Sequence, residues 1–349
     1  MTKSPIVAVA GIVLAGGKGT RMKSTLPKVL HPVLGVPILV RVLQSLSLAG
    51  FSSRCLVLPR NQTQFDTITD SDSDLAICAQ TNQRGTGDAV AAAMLAFDGI
   101  GVPHYADGEH VRGPKISAES VLICTGDTPC IPPKLLNDFV AACTQDGAEI
   151  GLIAMKCPDP TGYGRLVLDQ NQRLERIVEE RDASPDVRSI DLCNTGISFA
   201  STRLLSRLLK DLSPSNLQGE YYFTDCFHLA RSQGIKPKVF IAQDHSWFAG
   251  INDRIQLSLL EARMLAEVRF ALMRQGVSFI LPETTYIEDS VIAESDVTIE
   301  PGCFLAGNSI LSKGSRIGAN SVLKNVRVEA GVTVAPGTVR NDCTFGGKA

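Results

Sequence analysis

The sequence predicts an α/β protein in two parts, a doubly wound sheet over residues 1–251 and a short β-helix over residues 277–349, joined by a linker helix at residues 252–276. Two patterns support this prediction. Short apolar runs alternate with helix-like stretches through the first part, which is typical of parallel strands covered on both faces. After Gly276 the pattern changes to a repeat of six residues.

Charge excludes some kinds of partner. The chain has 349 residues with a formal net charge of −2, so no global electrostatic attraction to nucleic acid or to an anionic membrane is expected. No window contains the roughly 18 consecutive apolar residues of a membrane span. Any affinity for phosphate must therefore come from a local cluster of cations.

The amino terminus and the cysteines favour the cytoplasm. Residues 1–15 look somewhat like a signal peptide, but Gly16 to Arg21 follow without a break, so we interpret the apolar run as the strand that supports this loop. The ten cysteines are scattered without a CxxC pair, as expected of reduced structural thiols in the cytoplasm.

The six-residue repeat predicts a β-helix. Small or aliphatic residues recur at one position and larger aliphatic residues two positions later, and the register slips by one after Leu323 before resuming. The first five matched pairs are Val297/Ile299, Cys303/Leu305, Ser309/Leu311, Ser315/Ile317 and Ser321/Leu323, and the resumed pairs are Val326/Val328 and Val332/Val334. Three hexapeptides make one triangular coil, so the repeat predicts about three coils.

A glycine-rich loop directly follows the first apolar strand and is predicted to bind an anion. Its backbone at Leu14, Ala15, Gly16 and Gly17 is accessible because glycine has no Cβ, and strand ends of this kind bind ligands in open α/β sheets.

Neither of two familiar phosphate motifs is present in this loop. Ile12 and Gly19 break the P-loop pattern, and Met22 replaces the third glycine of a dinucleotide fingerprint. Arg21 and Lys28 place cations at two ends of the loop, which suits a triphosphate.

Eight blocks of distinctive sequence follow one another along nearly the whole chain: LAGGKGTRMKSTLPKVLH, CAQTNQRGTGDAV, TGDTPCI, DPTGYGRLV, RIVEERDAS, CNTGI, NLQGEYYFTD and AGINDRIQLSLLE. In these blocks the chain resembles the sugar-1-phosphate nucleotidyltransferases, most closely the uridylyltransferase half of the bifunctional bacterial enzymes that also acetylate glucosamine-1-phosphate. The resemblance implies a Rossmann-like mixed sheet, the nucleotide-diphospho-sugar transferase fold, followed by a short left-handed β-helix.

By this resemblance the reaction is attack of a sugar-1-phosphate oxygen on the α-phosphorus of UTP. Both reactants are anionic, so the site must supply positive charge, and Arg21 and Lys28 are the expected catalytic cations. Mg²⁺ is the implied cofactor, with Asp127 and Asn252 as its expected ligands. A sugar phosphate is already ionised at neutral pH, so no general base is required.

The resemblance also assigns the two substrates to particular side chains. Gln80, Gly85 and Thr86 are expected to contact the uracil base, because an amide can both donate and accept hydrogen bonds. The expected sugar-binding residues are Gly164, Glu179, Asn194, Asn252 and Tyr222. Glu180 adjoins Glu179, and the block RIVEE favours Glu179.

Several features depart from the family pattern. Gly16 replaces the alanine of LAAG, Thr125 replaces a tyrosine before GD, and Asp88 replaces the histidine of GTGHA, which affects expectations about base selectivity. The segment 101–119 looks like an insertion, and we interpret its polar residues as a surface loop rather than a metal site; they are His104, Asp107, Glu109 and His110.

The β-helix is shorter than in the bifunctional relatives, so no acetyltransferase activity is expected. It is expected to promote oligomerisation, with a homotrimer as the family precedent. The leading hypothesis is a cytoplasmic enzyme that makes UDP-N-acetylglucosamine from UTP and N-acetylglucosamine-1-phosphate. Two alternatives remain open: the same chemistry on another sugar phosphate or base, and a non-catalytic nucleotide-sugar sensor or assembly subunit.

Overall fold

The computed structural model describes residues 8–17, 19–60, 63–106 and 111–346. The chain divides into two compact units. The first comprises Met1–His31 with Ile38–Ile251, and the second comprises Pro32–Pro37 with Asn252–Ala349. In the described part of the chain, no helix combines the length and apolar character that a membrane crossing needs.

Ten of the first twelve strands form one mixed sheet in the first unit, and β2 with β3 forms a separate hairpin. In chain order the strands are β1 (Val9–Leu14), β2 (Pro32–Val33), β3 (Val36–Pro37), β4 (Arg54–Pro59), β5 (Leu75–Gln80), β6 (Val111–Arg112), β7 (Ser120–Thr125), β8 (Ile150–Lys156), β9 (Arg165–Leu168), β10 (Leu174–Val178), β11 (Leu192–Ser201) and β12 (Lys238–Ala242).

The centre of the sheet is parallel, and antiparallel pairs join it to the strands on both sides, where β8 and β12 form a further parallel pair. Its main path runs β10-β9-β11-β7-β1-β4-β5-β6, and β8 pairs with both β11 and β12. β1 is parallel to β4 and to β7, whereas β11 is antiparallel to β7 and β8. The mixed sheet therefore matches the resemblance rather than the all-parallel sheet that the apolar runs alone indicate, and the predicted fold class is confirmed.

Eight α-helices are present in the described residues, and those of the first unit cover both faces of the sheet. They are α1 (Ile38–Leu48), α2 (Asp66–Thr69), α3 (Thr86–Met94), α4 (Pro133–Gln145), α5 (Pro185–Arg188), α6 (Thr202–Lys210), α7 (Asp225–Ser232) and α8 (Arg254–Arg274). Successive residues of β1 pack into hydrophobic cores on opposite faces of the sheet: Ile12 lies in one core and Val13 in the other. Burial on both faces explains why this strand is continuously apolar.

β11 contains an irregularity that matters for the site. Its pairing with β8 shifts register between Asn194 and Ser198, and Gly196 within the shift has a φ of 81°. Bulges of this kind bend a strand and re-aim its side chains, and they are common near active sites.

The second unit contains α8 and three parallel sheets of four short strands each, the arrangement of a triangular β-helix. Its strands are β13 (Ser278–Phe279), β14 (Tyr286–Ile287), β15 (Ile292–Ala293), β16 (Thr298–Ile299), β17 (Phe304–Ala306), β18 (Ile310–Leu311), β19 (Arg316–Ile317), β20 (Val322–Lys324), β21 (Arg327–Val328), β22 (Thr333–Val334), β23 (Val339–Asn341) and β24 (Thr344–Phe345).

The β-helix has one coil more than the hexapeptide spacing predicts. The first coil does not follow the six-residue repeat, because a 3₁₀ turn at Pro282–Thr284 separates β13 from β14. The larger aliphatic residues of the repeat are buried inside the coils, as Ile299, Leu305 and Leu311 illustrate. Two of the small buried serines are hydrogen-bonded: the hydroxyl of Ser309 donates to the carbonyl of Ala306 at 2.7 Å, and that of Ser321 donates to the carbonyl of Gly318 at 2.6 Å.

Candidate active site

The loops after β1 and β7 lie side by side at the carboxyl edge of the sheet. The chain proceeds outward from β1 to β4 and β5 on one side, while β7 lies on the other, so this is the point at which strand order reverses. The N–H of Gly126 donates to the carbonyl of Leu14 at 2.8 Å and so holds the two loops together. Open α/β sheets bind ligands in the crevice at such a point.

The loop after β1 is shaped by a glycine that no other residue replaces without strain. Gly19 has a φ of 56°, and a Cβ there would lie 2.7 Å from Cβ of Lys28. It leads into a 3₁₀ turn at Thr20–Met22 in which Met22 is buried and Arg21 is exposed. Gly19 therefore lets the loop pass close to Lys28 while Arg21 faces solvent.

Lys28 and Asp127 form an ion pair across the two loops. Nζ of Lys28 lies 2.5 Å from Oδ2 of Asp127, and both side chains are mostly buried. Lys28 lies in a 3₁₀ turn at Lys28–Leu30, and Asp127 follows β7 by two residues. The structure thus brings together the predicted catalytic lysine and the predicted metal carboxylate.

The chemistry of Asp127 fits a magnesium ion. Within the described residues there is no cluster of three or more His, Cys, Asp or Glu side chains that would form an all-protein metal cage. Magnesium commonly takes one or two protein oxygens and completes its shell with water and phosphate oxygens, so a single strand-end carboxylate suffices.

Asn252 falls in the second unit, whereas Asp127 falls in the first. The preceding residue, Ile251, donates its N–H to the carbonyl of Asp127 at 3.1 Å. The backbone N–H of Asn252 donates to Oε1 of Gln256 at 2.7 Å, next to the first turn of α8. The metal-binding and sugar-binding roles of Asn252 stay predictions.

The predicted base-binding residues lie close together at the end of β5 and the start of α3. Nε2 of Gln80 donates to the carbonyl of Gly85 at 2.9 Å and to Oδ2 of Asp88 at 3.0 Å. Gly85 has a φ of 106°, and a Cβ there would lie 2.5 Å from the carbonyl oxygen of Tyr221. The hydroxyl of Thr86 accepts from the N–H of Phe223 at 2.9 Å, so Thr86 anchors the neighbouring segment.

The predicted sugar-binding residues occupy the β9, β10 and β11 side of the sheet. The N–H of Asn194 donates to the carbonyl of Gly164 at 2.8 Å. A Cβ at Gly164 would lie 3.4 Å from Oε2 of Glu179, so the glycine leaves room beside this carboxylate. Oε1 of Glu179 accepts from the hydroxyl of Thr224 at 2.9 Å. Thr224 is a contact of this group that the sequence did not single out.

Burial raises the pKa of Glu179 above its ordinary value. The hydrogen bond from Thr224 opposes this shift, and the carboxylates of Asp225 and Asp182 add to it. Tyr222 is buried, and its hydroxyl accepts from Nε2 of Gln218 at 2.5 Å. Burial raises the pKa of Tyr222 to about 12, so the phenol stays protonated at neutral pH.

The two adjacent glutamates have different partners. Glu180 pairs with the guanidinium of Arg165 at 2.7 Å and accepts from the N–H of Gly162 at 3.1 Å. Although burial opposes it, hydrogen bonding from Arg165 lowers the pKa of Glu180. Arg165 is 1% exposed and also donates to the carbonyl of Tyr163. Glu180 and Arg165 therefore clamp the loop that carries Gly164.

The insertion predicted at 101–119 is only partly described. Asp107, Glu109 and His110 lie outside the described residues. His104 lies edge to face with the ring of Tyr105, with centroids 5.7 Å apart. Tyr105 in turn stacks on Tyr221 at 4.0 Å, so this part of the segment packs against the protein.

A family model described as a MobA-like NTP transferase domain matches residues 11–186. The match covers half of the chain and includes both loops that carry Lys28 and Asp127. It includes Gly164 and Glu179 of the predicted sugar-binding residues and ends before Asn194 and Tyr222.

Curated relatives extend the similarity to almost the whole chain. A bifunctional protein GlmU from Carboxydothermus hydrogenoformans is 35% identical over 89% of this chain and 65% of its own length. GlmU proteins from Sorangium cellulosum and Thermobifida fusca are 35% and 34% identical over 99% and 97% of this chain, and 70% and 67% of their own lengths. The chain therefore spans about two thirds of the length of these relatives.

A solved structure shares the fold. A crystal structure of a Bacillus anthracis protein assigned as a glucose-1-phosphate thymidylyltransferase superposes with a TM-score of 0.58 at 18% identity, covering 73% of this chain and 95% of that one. At this identity the likeness shows the fold alone. From the family model and these relatives, the chain belongs to the MobA-like NTP transferase family, together with the bifunctional GlmU proteins.

Proposed function

We propose that this protein transfers a uridylyl group from UTP to N-acetylglucosamine-1-phosphate, releasing pyrophosphate and forming UDP-N-acetylglucosamine. The observation that carries the proposal is the ion pair of Lys28 with Asp127 across the two loops at the carboxyl edge of the sheet. A cation for phosphate and a carboxylate for a divalent metal meet there. This is the combination that transfer between two anionic phosphates requires.

In the proposed reaction a phosphate oxygen of the sugar phosphate attacks the α-phosphorus of UTP. The new P–O bond forms as the bond from the α-phosphorus to the bridging oxygen of pyrophosphate breaks. No proton has to be removed from the nucleophile. Arg21 and Lys28 stabilise the negative charge that moves to the leaving group. The backbone from Leu14 to Gly17 lines the triphosphate, with Gly16 and Gly17 as its amide donors, because the N–H of Ala15 already donates to the carbonyl of Val57 at 2.9 Å.

Asp127 is the side chain of the first unit that would hold Mg²⁺, and Asn252 is its proposed second ligand. When bound, the ion would neutralise phosphate charge and so lower the repulsion between the two substrates. Asp127 already pairs with the ammonium of Lys28, which supports its assignment as a carboxylate that binds cations.

The sugar end of the proposal rests on Gly164, Glu179, Asn194 and Tyr222, with Asn252 expected from the family resemblance. A carboxylate accepts from sugar hydroxyls, and an amide both donates to and accepts from an N-acetyl group. The pairing of Glu180 with Arg165 supports Glu179, rather than Glu180, as the acceptor for the sugar.

We further propose assembly as a homotrimer through the β-helix. The outward side chains of the sheet formed by β14, β17, β20 and β23 make an apolar column of Tyr286, Phe304, Val322 and Val339. The corresponding column of the sheet formed by β13, β16, β19 and β22 is polar: Ser278, Thr298, Arg316 and Thr333. An apolar column on one of three faces suits contact with a second copy.

The test is pyrophosphate release from a panel of nucleotide and sugar-phosphate pairs with Mg²⁺. We expect UTP with N-acetylglucosamine-1-phosphate to give the highest kcat/KM. A higher value for another pair would replace the proposed substrates while keeping the reaction class. Nucleotide binding without turnover of any pair would favour the sensor alternative.

A further inference from the structure

The side-chain amide of Gln80 has one allowed orientation. Its nitrogen donates to the carbonyl of Gly85 and to the carboxylate of Asp88. Both partners are acceptors, so rotating the amide by half a turn would set oxygen against oxygen. Gln80 is 5% exposed and Asp88 is 4% exposed, so water cannot easily replace either hydrogen bond.

Asp88 is itself held from the backbone of the same loop. Oδ2 of Asp88 accepts from the N–H of Arg84 at 3.1 Å, and Oδ1 lies 3.4 Å from Nη2 of the same residue. A carboxylate satisfied on both oxygens in a buried position has little freedom to rotate. It therefore fixes the nitrogen of Gln80 on its own side of the loop.

The other end of this amide is free to receive a ligand. Among residues that the structure describes, none donates a hydrogen bond to Oε1 of Gln80. That oxygen lies beside the loop after β1, because a Cβ at Gly16 would come within 2.3 Å of it. Because Gly16 has no Cβ, Oε1 of Gln80 has room to lie next to the proposed triphosphate loop.

A free donor lies in the same loop as this acceptor. The carbonyl of Arg84 accepts from the N–H of Tyr221 at 2.8 Å. In the trans peptide that follows, the N–H of Gly85 points the opposite way, away from Tyr221. Over the described part of the chain, this N–H finds no hydrogen-bond acceptor. The loop thus presents one fixed acceptor and one fixed donor.

We propose that Asp88 is a positioning residue for base selection. Asp88 holds the amide of Gln80 so that Oε1 lies beside Gly16 and faces the ligand. With Oε1 as acceptor and the N–H of Gly85 as donor, the site accepts bases that have an imide N–H next to a carbonyl, as in uracil, and rejects cytosine and adenine. Cytosine and adenine carry a ring nitrogen acceptor next to an amino group. The ring nitrogen would face Oε1 of Gln80, and the amino group would face the N–H of Gly85, so neither hydrogen bond could form. The inference rests on the proposed function and names its determinant of base selectivity.

The test compares UTP with CTP in wild-type protein and in the variants Asp88→Asn, Asp88→Leu and Gly16→Ala. The ratio of kcat/KM for the two nucleotides is measured at saturating N-acetylglucosamine-1-phosphate, and melting temperatures report folding. Asp138→Asn is the matched control, because Asp138 is an exposed partner of Lys134 on α4. Equilibrium binding of UTP and CTP is measured in parallel and does not depend on turnover.

We expect Asp88→Leu, which removes both carboxylate oxygens and leaves only the carbonyl of Gly85 to accept from Nε2 of Gln80, to lower the UTP:CTP ratio at least tenfold. Asp88→Asn should lower it by a smaller factor. Gly16→Ala should lower the ratio with Asp88 intact, because its Cβ displaces Oε1 of Gln80. The inference is overturned if the folded variants keep the wild-type ratio in turnover and in binding. If Asp88→Leu does not fold, Asp88→Asn and Gly16→Ala decide.

A failure of the proposed function would give a different experimental result from a failure of the inference about Asp88. Wild-type protein would then bind UTP in preference to CTP yet release no pyrophosphate, and the Asp88 variants would still be judged by their binding ratio. Wild-type binding without preference for UTP over CTP would overturn the inference on its own.

Discussion

Lys28 and Asp127 lie 99 residues apart in the chain, yet Nζ of the first is 2.5 Å from Oδ2 of the second. The same ammonium that we expect to meet the triphosphate thus holds the carboxylate that we expect to meet the metal. Before substrates bind, each charge compensates the other in a mostly buried position. Changing either residue leaves the other charge without this partner.

Asp127→Asn should abolish most turnover while preserving the fold. The amide keeps the shape of the side chain but removes the charge that a divalent metal needs. We expect kcat/KM to fall by about 10²–10³, the scale seen when one preorganised electrostatic group is removed from an active site. Pyrophosphate release at several Mg²⁺ concentrations measures it. An unchanged rate would reject the metal role, and Asp138→Asn serves as the control.

Gly19→Ala should lower kcat by displacing Lys28. The added Cβ would lie 2.7 Å from Cβ of Lys28, and the backbone φ of 56° is strained for alanine. Gly234→Ala separates the two effects, because Gly234 also has a positive φ, 80°, with no atom near its would-be Cβ. Equal kcat values for the two variants would show that Lys28 is not displaced.

Replacing Glu179 should affect substrate binding, whereas replacing Glu180 should affect stability. Glu179→Gln should raise KM for the sugar phosphate with little loss of stability. Glu180→Gln should cost about 1–3 kcal/mol of stability, because the buried guanidinium of Arg165 loses its charged partner. Steady-state kinetics and denaturant unfolding of both variants provide the measurement. A KM effect confined to Glu180→Gln would reverse the assignment.

Stability should depend on pH through Glu179. Because burial raises the pKa of this acid, the folded state keeps its proton to a higher pH than the unfolded chain, whose value is near 4.5. Its contribution to stability is therefore full below that pH and is lost as the pH rises through the folded pKa. The melting temperature of Glu179→Gln, relative to wild type, should rise as the pH increases from 4.5 through the raised pKa of Glu179. A constant difference would contradict this.

The β-helix should control the oligomeric state. Val322→Glu places a charge in the apolar column of Phe304, Val322 and Val339, so it should convert a trimer into a monomer in sedimentation experiments. Thr333→Glu changes an exposed residue on another face and is the control. A wild-type protein that sediments as a monomer would refute the proposed assembly.

Local patterns predicted much of this structure. Continuous apolar runs indicated strands covered on both faces, and the hexapeptide spacing located the β-helix from Val297 onward. The first coil was missed because a turn separates Phe279 from Ile287 by eight positions, which breaks the six-residue period.

Contacts between distant segments could not be predicted in this way. Gly16, Thr125 and Asp88 depart from the family pattern, but no spacing in the sequence shows that Gly16 and Asp88 both adjoin Gln80. The ion pair of Arg165 with Glu180 was likewise invisible, because a charged residue in a sequence is normally expected at the surface.

The ten residues of β11 connect the proposed sugar-binding residues with the loops at the carboxyl edge of the sheet. Asn194 lies at the proposed sugar-binding end, while a Cβ at Gly196 would lie 3.0 Å from the side chain of Thr125, which ends β7 beside the nucleotide loops. A strand advances about 3.3 Å per residue, so one continuous backbone would set the spacing between the proposed sugar and nucleotide positions. Under the proposed function, we therefore expect changes in β9 and β10 to alter which sugar is accepted without moving the proposed meeting point of the phosphates.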